Sequence, residues 1–358
     1  MTIPSRVPGG PLVDADSGRL DPALVKFLDD LRTTLLTDAA LLSSTAFENY
    51  AFNGGMMVAQ RATTPLSTVL QYGSVDRMKV AVTAGTVSAG TIQQATAAPL
   101  GRTGFALQVA GASMTTTPTL SVDTYIESKH AIALKNAIVS LAVNVYHDTG
   151  SNQSYTLLID KATVADNFAA TTNIATSTPL PVVNASSKLL TLINVNMGDC
   201  SNGIRIRINV SPGTVVTKNF YYTELVLSEG GPQSGFPYQS FADELQRCQR
   251  YFRKSFAYAT SPAQNVGIVG VVAYYVQNAG ALFNGATIPI MMRTTPTMTY
   301  FNPSAANASW RNTNRVADSG AAATGNIGDS IIQIANPQVA ADATNQVCTV
   351  HYTANADF

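Results

Sequence analysis

Hydrophobic and polar positions alternate with a period of two along much of the chain, as in Arg205–Val210 (RIRINV) and Tyr155–Asp160 (YTLLID). Such alternation buries one face of a strand and leaves the other to solvent. Ala137–Tyr146 (AIVSLAVNVY) is more continuously apolar and belongs deeper in a sheet. From about Ala51, the pattern predicts strands over Met56–Arg61, Arg77–Val82, Gly104–Val109, Asp123–Ser128, Ala137–Tyr146, Ser154–Ile159, Lys188–Val195, Gly203–Val210 and Phe220–Leu227. His147–Ser154 (HDTGSNQS) has the composition of a hairpin loop. Eight or nine strands at this spacing, over about 180 residues, point to a β-sandwich of the jelly-roll kind.

Ser228–Ser240 (SEGGPQSGFPYQS) breaks the pattern, and Phe241–Phe252 (FADELQRCQRYF) then switches to helical spacing. Phe241, Leu245, Cys248 and Phe252 form its apolar stripe. Ser240 with Asp243 makes a capping-box-like start; acids fall in the first turn, and Arg250, Arg253 and Lys254 fall at the end, as the helix dipole prefers. Arg and Gln on one helix also suit base-edge reading, but the neighbouring sequence supplies strands and no companion helix. A connector between two β domains is the expected role.

Strands resume near Ser255–Tyr258, Val266–Val276, Thr287–Met292, Thr297–Phe301, Ser330–Ile334 and Gln346–Thr353. Val266–Val276 (VGIVGVVAYYV) is the longest apolar stretch and reads as a buried strand. Ser304–Gly328 is a polar excursion, either a long loop or a hairpin. At the other end, residues 1–20 read as an extended arm. A helix follows, with Asp21 as N-cap, Pro22 at its first position, and Leu24, Phe27, Leu28, Leu31 and Leu35 on one stripe. Four turns are too few to be stable alone in water. The stripe therefore needs its own β domain, a sister subunit or another protein to cover it. The expected architecture is all-β: arm and helix (1–45), jelly-roll sandwich (46–230), linker and connector helix (231–254), and a smaller C-terminal β domain (255–358).

Composition narrows the partners. Charged residues make up 12% of the 358, about half the usual share, and 22 basic residues balance 22 acidic ones. A neutral chain is not built to bind nucleic acid through bulk charge. Low charge with many Thr, Ala, Asn, Ser and Gly fits a subunit within an assembly. Cys200, Cys248 and Cys348 are far apart and odd in number, so buried thiols are expected rather than disulfides or a zinc site. The first ten residues lack the apolar run of a signal peptide, and no window approaches the roughly 20 apolar residues of a membrane span.

The helix segment FADELQRCQRYF resembles one that recurs in bacteriophage virion proteins of the fibre, spike and carbohydrate-binding-module-like type. Other segments follow the same pattern in the same order: NGGMMVAQRATT with Gln60 and Arg61, YGSVDRMKV with Asp76 and Arg77, YIESKHAIALKNAIVSLAVNVY, FYYTELVLSEGGPQSGFPYQS, IPIMMRTTPTMTY and the closing TVHYTANADF. Met78 stands where the pattern usually has Trp, the 304–328 excursion has no counterpart, and residues 1–40 lie outside the match. The resemblance implies a virion structural protein (head or tail fibre, spike or collar), homotrimeric, with a jelly-roll similar to those that grip glycans. The arm and helix of residues 1–45 have the form of a virion-docking segment, with Leu24, Phe27, Leu28, Leu31 and Leu35 as the expected docking residues, and adsorption to host cell-surface polysaccharide is the expected purpose. No cofactor, metal, nucleic acid or membrane insertion is expected.

The three histidines, His130, His147 and His351, have no metal-ligand spacing, and neither a GxSxG elbow nor a phosphate-binding GxxxxGK[ST] loop occurs. Asp123 and Glu127 are candidates for a glycosidase pair only if they face each other about 5 to 9 Å apart. A non-enzymatic protein is the expectation; a glycan-degrading virion appendage and a secreted carbohydrate-binding module are the alternatives. For sugar binding, an aromatic face with planar amides and guanidinia is needed. Trp310, Arg311, Asn312 and Asn314 on the polar excursion are the candidates, with packing on a neighbouring subunit as the other use of this single Trp.

Overall fold

The four alternating apolar residues of Ile204–Val210 all point inward: Ile204, Ile206, Ile208 and Val210 are buried, while Arg205, Arg207 and Asn209 line the opposite face. The computed structural model describes residues 26, 28–30, 48–99, 101–231, 235–276, 286–287, 290–335, 337 and 346–358. They fall into two units, Met1–Glu48 and Asn49–Phe358. In the first, Lys26, Leu28, Asp29 and Asp30 are helical, Leu28 is 46% exposed, and Lys26 pairs with Asp30 at 3.5 Å. Leu24, Phe27, Leu31 and Leu35 lie outside the described residues.

The second unit is built on an eleven-stranded antiparallel sheet. Its long strands are β1 (Lys79–Ala95), β2 (Ala106–Ile126), β3 (Ile138–His147), β4 (Gln153–Val164), β5 (Asn167–Thr176), β6 (Lys188–Asn196), β7 (Ile204–Val210) and β8 (Val215–Glu229). The order is β5-β4-β7-β2-β8-β3-β6, with β1 on the other side of β2. Strand β2 has two partners on one edge: its first half pairs with β8 and its second half with β7. Register shifts interrupt the β1–β2 ladder between Val82 and Thr91, and Thr116 and Thr117 take positive φ. Bulges of this kind bend a strand, which lets one hairpin serve both halves of the sheet. The sheet curls until its edge strands β5 and β6 approach each other, enclosing a core that includes Val122, Tyr155, Ile206, Phe220 and Leu227.

The helix α1 (Phe241–Gln249) leads to a six-stranded sheet centred on β14 (Gln346–Asn355). Around it stand β9 (Phe252–Lys254), β10 (Val272–Val276), β11 (Thr297–Phe301), β12 (Ser309–Asn312) and β13 (Ala317–Ala321). Three short strands, Ala286–Thr287, Ala323–Ile327 and Ile331–Ala335, form a third sheet. A second core packs Tyr274, Met292, Trp310, Ile332, Val350 and Tyr352. The described residues are 52% strand and 7% helix, an all-β composition, as the alternation implies.

Several local expectations are corrected. Met56–Gln60 is buried but joins no ladder; Asn53 instead binds this segment through the carbonyl of Val58. Gly104–Val109 and Asp123–Ser128 belong to one strand, β2. Val266–Val271 is not a buried strand: Ile268 and Val269 are 60% and 71% exposed. Gly267 and Gly270 turn the chain there at φ +86° and +87°, and a Cβ on Gly270 would lie 2.4 Å from the Ser255 carbonyl oxygen. The 304–328 excursion is a hairpin, β12–β13, that runs into the third sheet. Of the α1 stripe, Cys248 and Phe252 are buried, whereas Phe241 is 39% exposed and Glu244 is buried in its place, so the packed face shares the end of the stripe but not its start. Among the described residues, no helix is long and apolar enough to cross a membrane.

Candidate functional site

The sugar-binding candidates on the excursion are not brought together as an open face. Trp310 is fully buried in the C-terminal core, edge-on to Tyr274 at 5.1 Å, with its indole N–H donating to the Ala335 carbonyl at 2.8 Å. An indole with both faces covered has none to stack on a sugar. Arg311 folds back on its hairpin, donating to Asp318 at 3.3 Å and to the Val316 carbonyl at 2.6 Å. Buried Asn312 caps the turn by accepting from the amides of Asn314 and Arg315, and exposed Asn314 accepts from the Val347 amide at 2.8 Å. The hydrophobicity of Trp outweighs the polarity of its neighbours, because in a strand they need not share its face.

The acids behave as structural partners. Asp123 accepts from Arg207 through both oxygens, at 2.7 and 2.6 Å, and Glu127 accepts from Arg250 at 3.0 and 3.2 Å. Burial raises the Glu127 carboxyl, but His130 and Arg250 pull it to a net value below the ordinary range. Neither group is arranged as a proton donor to a sugar. His147 sits between Thr149 and the Val182 carbonyl, and His351 between Ser255 and the Gly267 carbonyl. Among the described residues, no cluster of three or more His, Cys, Asp or Glu side chains forms a metal site. Cys200, Cys248 and Cys348 are all buried.

What the structure does assemble is a buried charged junction between the sandwich and the C-terminal strands. Its centre is Asp357, 2% exposed, paired with Arg61 and with Arg77, the latter at 2.5 Å. Burial raises the Asp357 carboxyl, and the two guanidinia more than reverse this, leaving it below its ordinary value. Arg77 also donates to the Tyr125 carbonyl and lies 3.5 Å above the Tyr251 ring. Arg61 reaches Asp76 at 3.1 Å and covers the ring of Phe252 at 3.8 Å. Asp76, which also accepts from Gln60, has the weaker share of Arg61, and burial pushes its carboxyl up to about 6. Arg293 closes the ring from the far side, donating to the carbonyls of Ala356 and Asp357 and standing 4.1 Å over the Phe358 ring. Helix α1 joins in through Glu244, which accepts from the Asn53 amide, and its last turn delivers Arg250 to Glu127.

Sequence reading recognised these segments but not their convergence. The signal was present: polar residues of the resembling segments, Gln60, Arg61, Asp76, Arg77, Glu127, Arg250, Arg293 and Asp357, all lie at this junction.

Beside the junction a cleft of about 330 Å³ is lined by Lys79, Tyr125, Asp166, Asn167, Phe168, Ala169 and Phe358. Tyr125, Phe168 and Phe358 form a triangle with ring centres 4.7, 5.0 and 5.6 Å apart. Strand β1 places Lys79 opposite Asp123, the β4–β5 turn supplies Asp166, and the start of β5 supplies Asn167, Phe168 and Ala169. The Lys79 ammonium donates to the main-chain oxygen of Phe358, and burial lowers its pKa. Two other concavities, beside Tyr146 and beside Phe236, hold only about 10 Å³ each, room for about one water.

No family model matches the chain, and no curated protein matches it. Solved structures similar to part of it include carbohydrate-binding modules and also glycosidases, among them the arabinose-bound MgGH51 α-L-arabinofuranosidase, 10% identical over 56% of this chain and 30% of that one, with a TM-score of 0.33. The CBM22-1 xylan-binding domain of Paenibacillus barcinonensis Xyn10C is 13% identical, covering 52% of this chain and 98% of that one, with a TM-score of 0.32. TmCBM61 in complex with β-1,4-galactotriose is 10% identical over 51% and 99%, with a TM-score of 0.30. The family 11 module of Clostridium thermocellum, in complex with a β-1,3-1,4-mixed-linked tetrasaccharide, is 10% identical over 48% and 96%, with a TM-score of 0.28. Likeness at this level says nothing of what this chain binds.

Proposed function

We propose that this chain is a non-catalytic structural protein of a bacteriophage particle, a fibre, spike or collar component. It acts as a homotrimer, docks to other virion proteins through residues 1–45, and presents its β unit for adsorption to host-surface glycan. One observation carries the reading: five of the seven segments that resemble phage virion proteins, scattered from Asn53 to Phe358, meet in one buried junction through Arg61, Arg77, Tyr251, Arg293 and Asp357. The pairing of Asp123 and Glu127 with arginines supports attachment over bond cleavage.

The test is to locate the protein on particles by immunogold electron microscopy and to measure its solution mass by light scattering. A trimeric mass and labelled particles are expected, with the label lost when residues 1–45 are deleted. Unlabelled particles would overturn the virion role, and a monomeric mass would overturn the trimer.

A further inference from the structure

The cleft beside the junction has the size, wall chemistry and unspent hydrogen-bonding groups of a ligand site. Its 330 Å³ lies at the lower end of the roughly 300–1,000 Å³ of small-molecule pockets. We propose that it is a saccharide subsite taking one neutral pyranose unit of a surface polysaccharide, a refinement that rests on the glycan-adsorption reading above.

The chemistry of the wall selects the ligand. Tyr125, Phe168 and Phe358 present aromatic carbon to the cleft, the surface on which the C–H face of a pyranose packs. Lys79 uses one N–H on the main-chain oxygen of Phe358 and keeps two for hydroxyls. Asp166 accepts from the amide and hydroxyl of Ser128 and faces Arg293 at 4.0 Å through Oδ2, and each oxygen retains a lone pair for a hydroxyl. The Asn167 carbonyl oxygen accepts from the Ala169 amide, and its NH₂ stands at the mouth. One cation and one anion line the same cleft, so a ligand of either net charge meets a like charge. A neutral polyol meets donors and acceptors at both. Arg205 and Arg207, on the same sheet face, are already committed to Asp160 and Asp123 and offer no site for a polyanion.

The subsite shares no lining residue with the Trp310 hairpin, so the two locations are separable by mutation. The test is saturation-transfer-difference NMR of the full chain with D-glucose, D-galactose, L-rhamnose and N-acetyl-D-glucosamine. At least one sugar is expected to give a signal. That signal should fall about ten-fold or more in Asn167→Trp, which fills the mouth from an exposed position at the start of β5, and in Phe168→Ala, while Arg311→Ala leaves it unchanged. Thermal unfolding of Asn167→Trp at the wild-type temperature shows that the loss is not one of folding. A wild-type signal that survives in both cleft variants would overturn this subsite and leave glycan adsorption standing. Absence of signal from all four sugars in the wild type would overturn the subsite and the glycan reading together.

Discussion

Two kinds of buried ion pair lie close together in this molecule. On the sandwich face, Arg207 meets Asp123 and Arg205 meets Asp160, each pair directly opposite in register on neighbouring strands. The ladder already holds these backbones together, so the pairs decorate a contact that exists without them. At the junction, Asp357 meets Arg61 and Arg77 across 296 and 280 positions of sequence. There the ions are themselves part of what fastens the C-terminal strands to the sandwich. Solvent separates the cases further: Arg205 and Arg207 are 17% and 20% exposed, whereas Arg77 and Asp357 are 1% and 2%. On the face, water reaches the arginine end of each pair, although Asp123 and Asp160 are buried; at the Arg77–Asp357 pair it reaches neither end.

The largest effect should therefore follow Asp357→Ala, which leaves Arg77 in the interior without a carboxylate and Arg61 with Asp76 alone. Removing one partner of a buried pair costs about 3–5 kcal/mol. Urea unfolding should show that loss, with a lower slope or a second transition if the C-terminal strands come free of the sandwich. A loss below about 1 kcal/mol would mean the junction does not hold the two parts together.

Asp76 gives the junction a pH signature. Its carboxyl is raised to about 6 from an ordinary 3.8, because burial outweighs its share of Arg61. The folded state therefore binds this proton more tightly than the unfolded one. The resulting stability is full below the unfolded value and is lost as pH rises through about 6. A proton held that much more tightly is worth about 3 kcal/mol. Wild-type stability minus that of Asp76→Asn should fall by this order between pH 4 and 6 and level off above. Asp357 and Glu127, both lowered, act in the opposite sense: their contribution is present above the ordinary carboxylate range and is lost as pH falls. A flat difference curve for Asp76→Asn would show that water reaches the carboxylate.

On the sandwich face, Arg207→Met should cost less, about 2 kcal/mol. It leaves buried Asp123 short of a charged partner, but the Tyr125 hydroxyl still donates to it and the side vacated by Arg207 is partly open to solvent. Equal losses in Arg207→Met and Asp357→Ala would erase the distinction between the two kinds of pair.

That distinction also explains what the sequence made visible. Arg205 and Arg207 could be placed on an outer face from alternation alone, since Ile204, Ile206 and Ile208 fix the inner one. Thr297–Phe301 was legible for the same reason. Strand β5 was not: NFAATTNIAT has few apolar residues to mark a face, because it is an edge strand that is mostly exposed. The short Leu180–Val182 strand gives no period to read. Trp310 was misplaced because a polar neighbourhood in sequence says little about which side of a strand faces the core. The junction was hidden most deeply. Its residues are individually ordinary, and only the closure of β14 against β9 and β11 brings Asp357 to Arg61 and Arg77. Nor could the cleft be read, since Phe168 at the start of β5 and Phe358 share no local pattern.

The smallest expected effect tests how far the junction's influence extends. Ser240 starts α1: its hydroxyl accepts from the Asp243 amide at 3.2 Å and donates to the Asp243 carboxylate at 2.6 Å. Both groups are exposed, so Ser240→Ala removes a cap without stranding anything in the interior. A lost cap costs about 1 kcal/mol. The helix is also held by Glu244 on the Asn53 amide and by Cys248 in the interior, and neither contact uses the Ser240 hydroxyl. Urea unfolding of Ser240→Ala should thus show a loss of about 1 kcal/mol with an unchanged slope. In the Asp357→Ala background the same substitution should cost the same amount, because the cap and the carboxylate share no partner. A markedly different cost in that background would mean that the start of the helix and the junction move as one body.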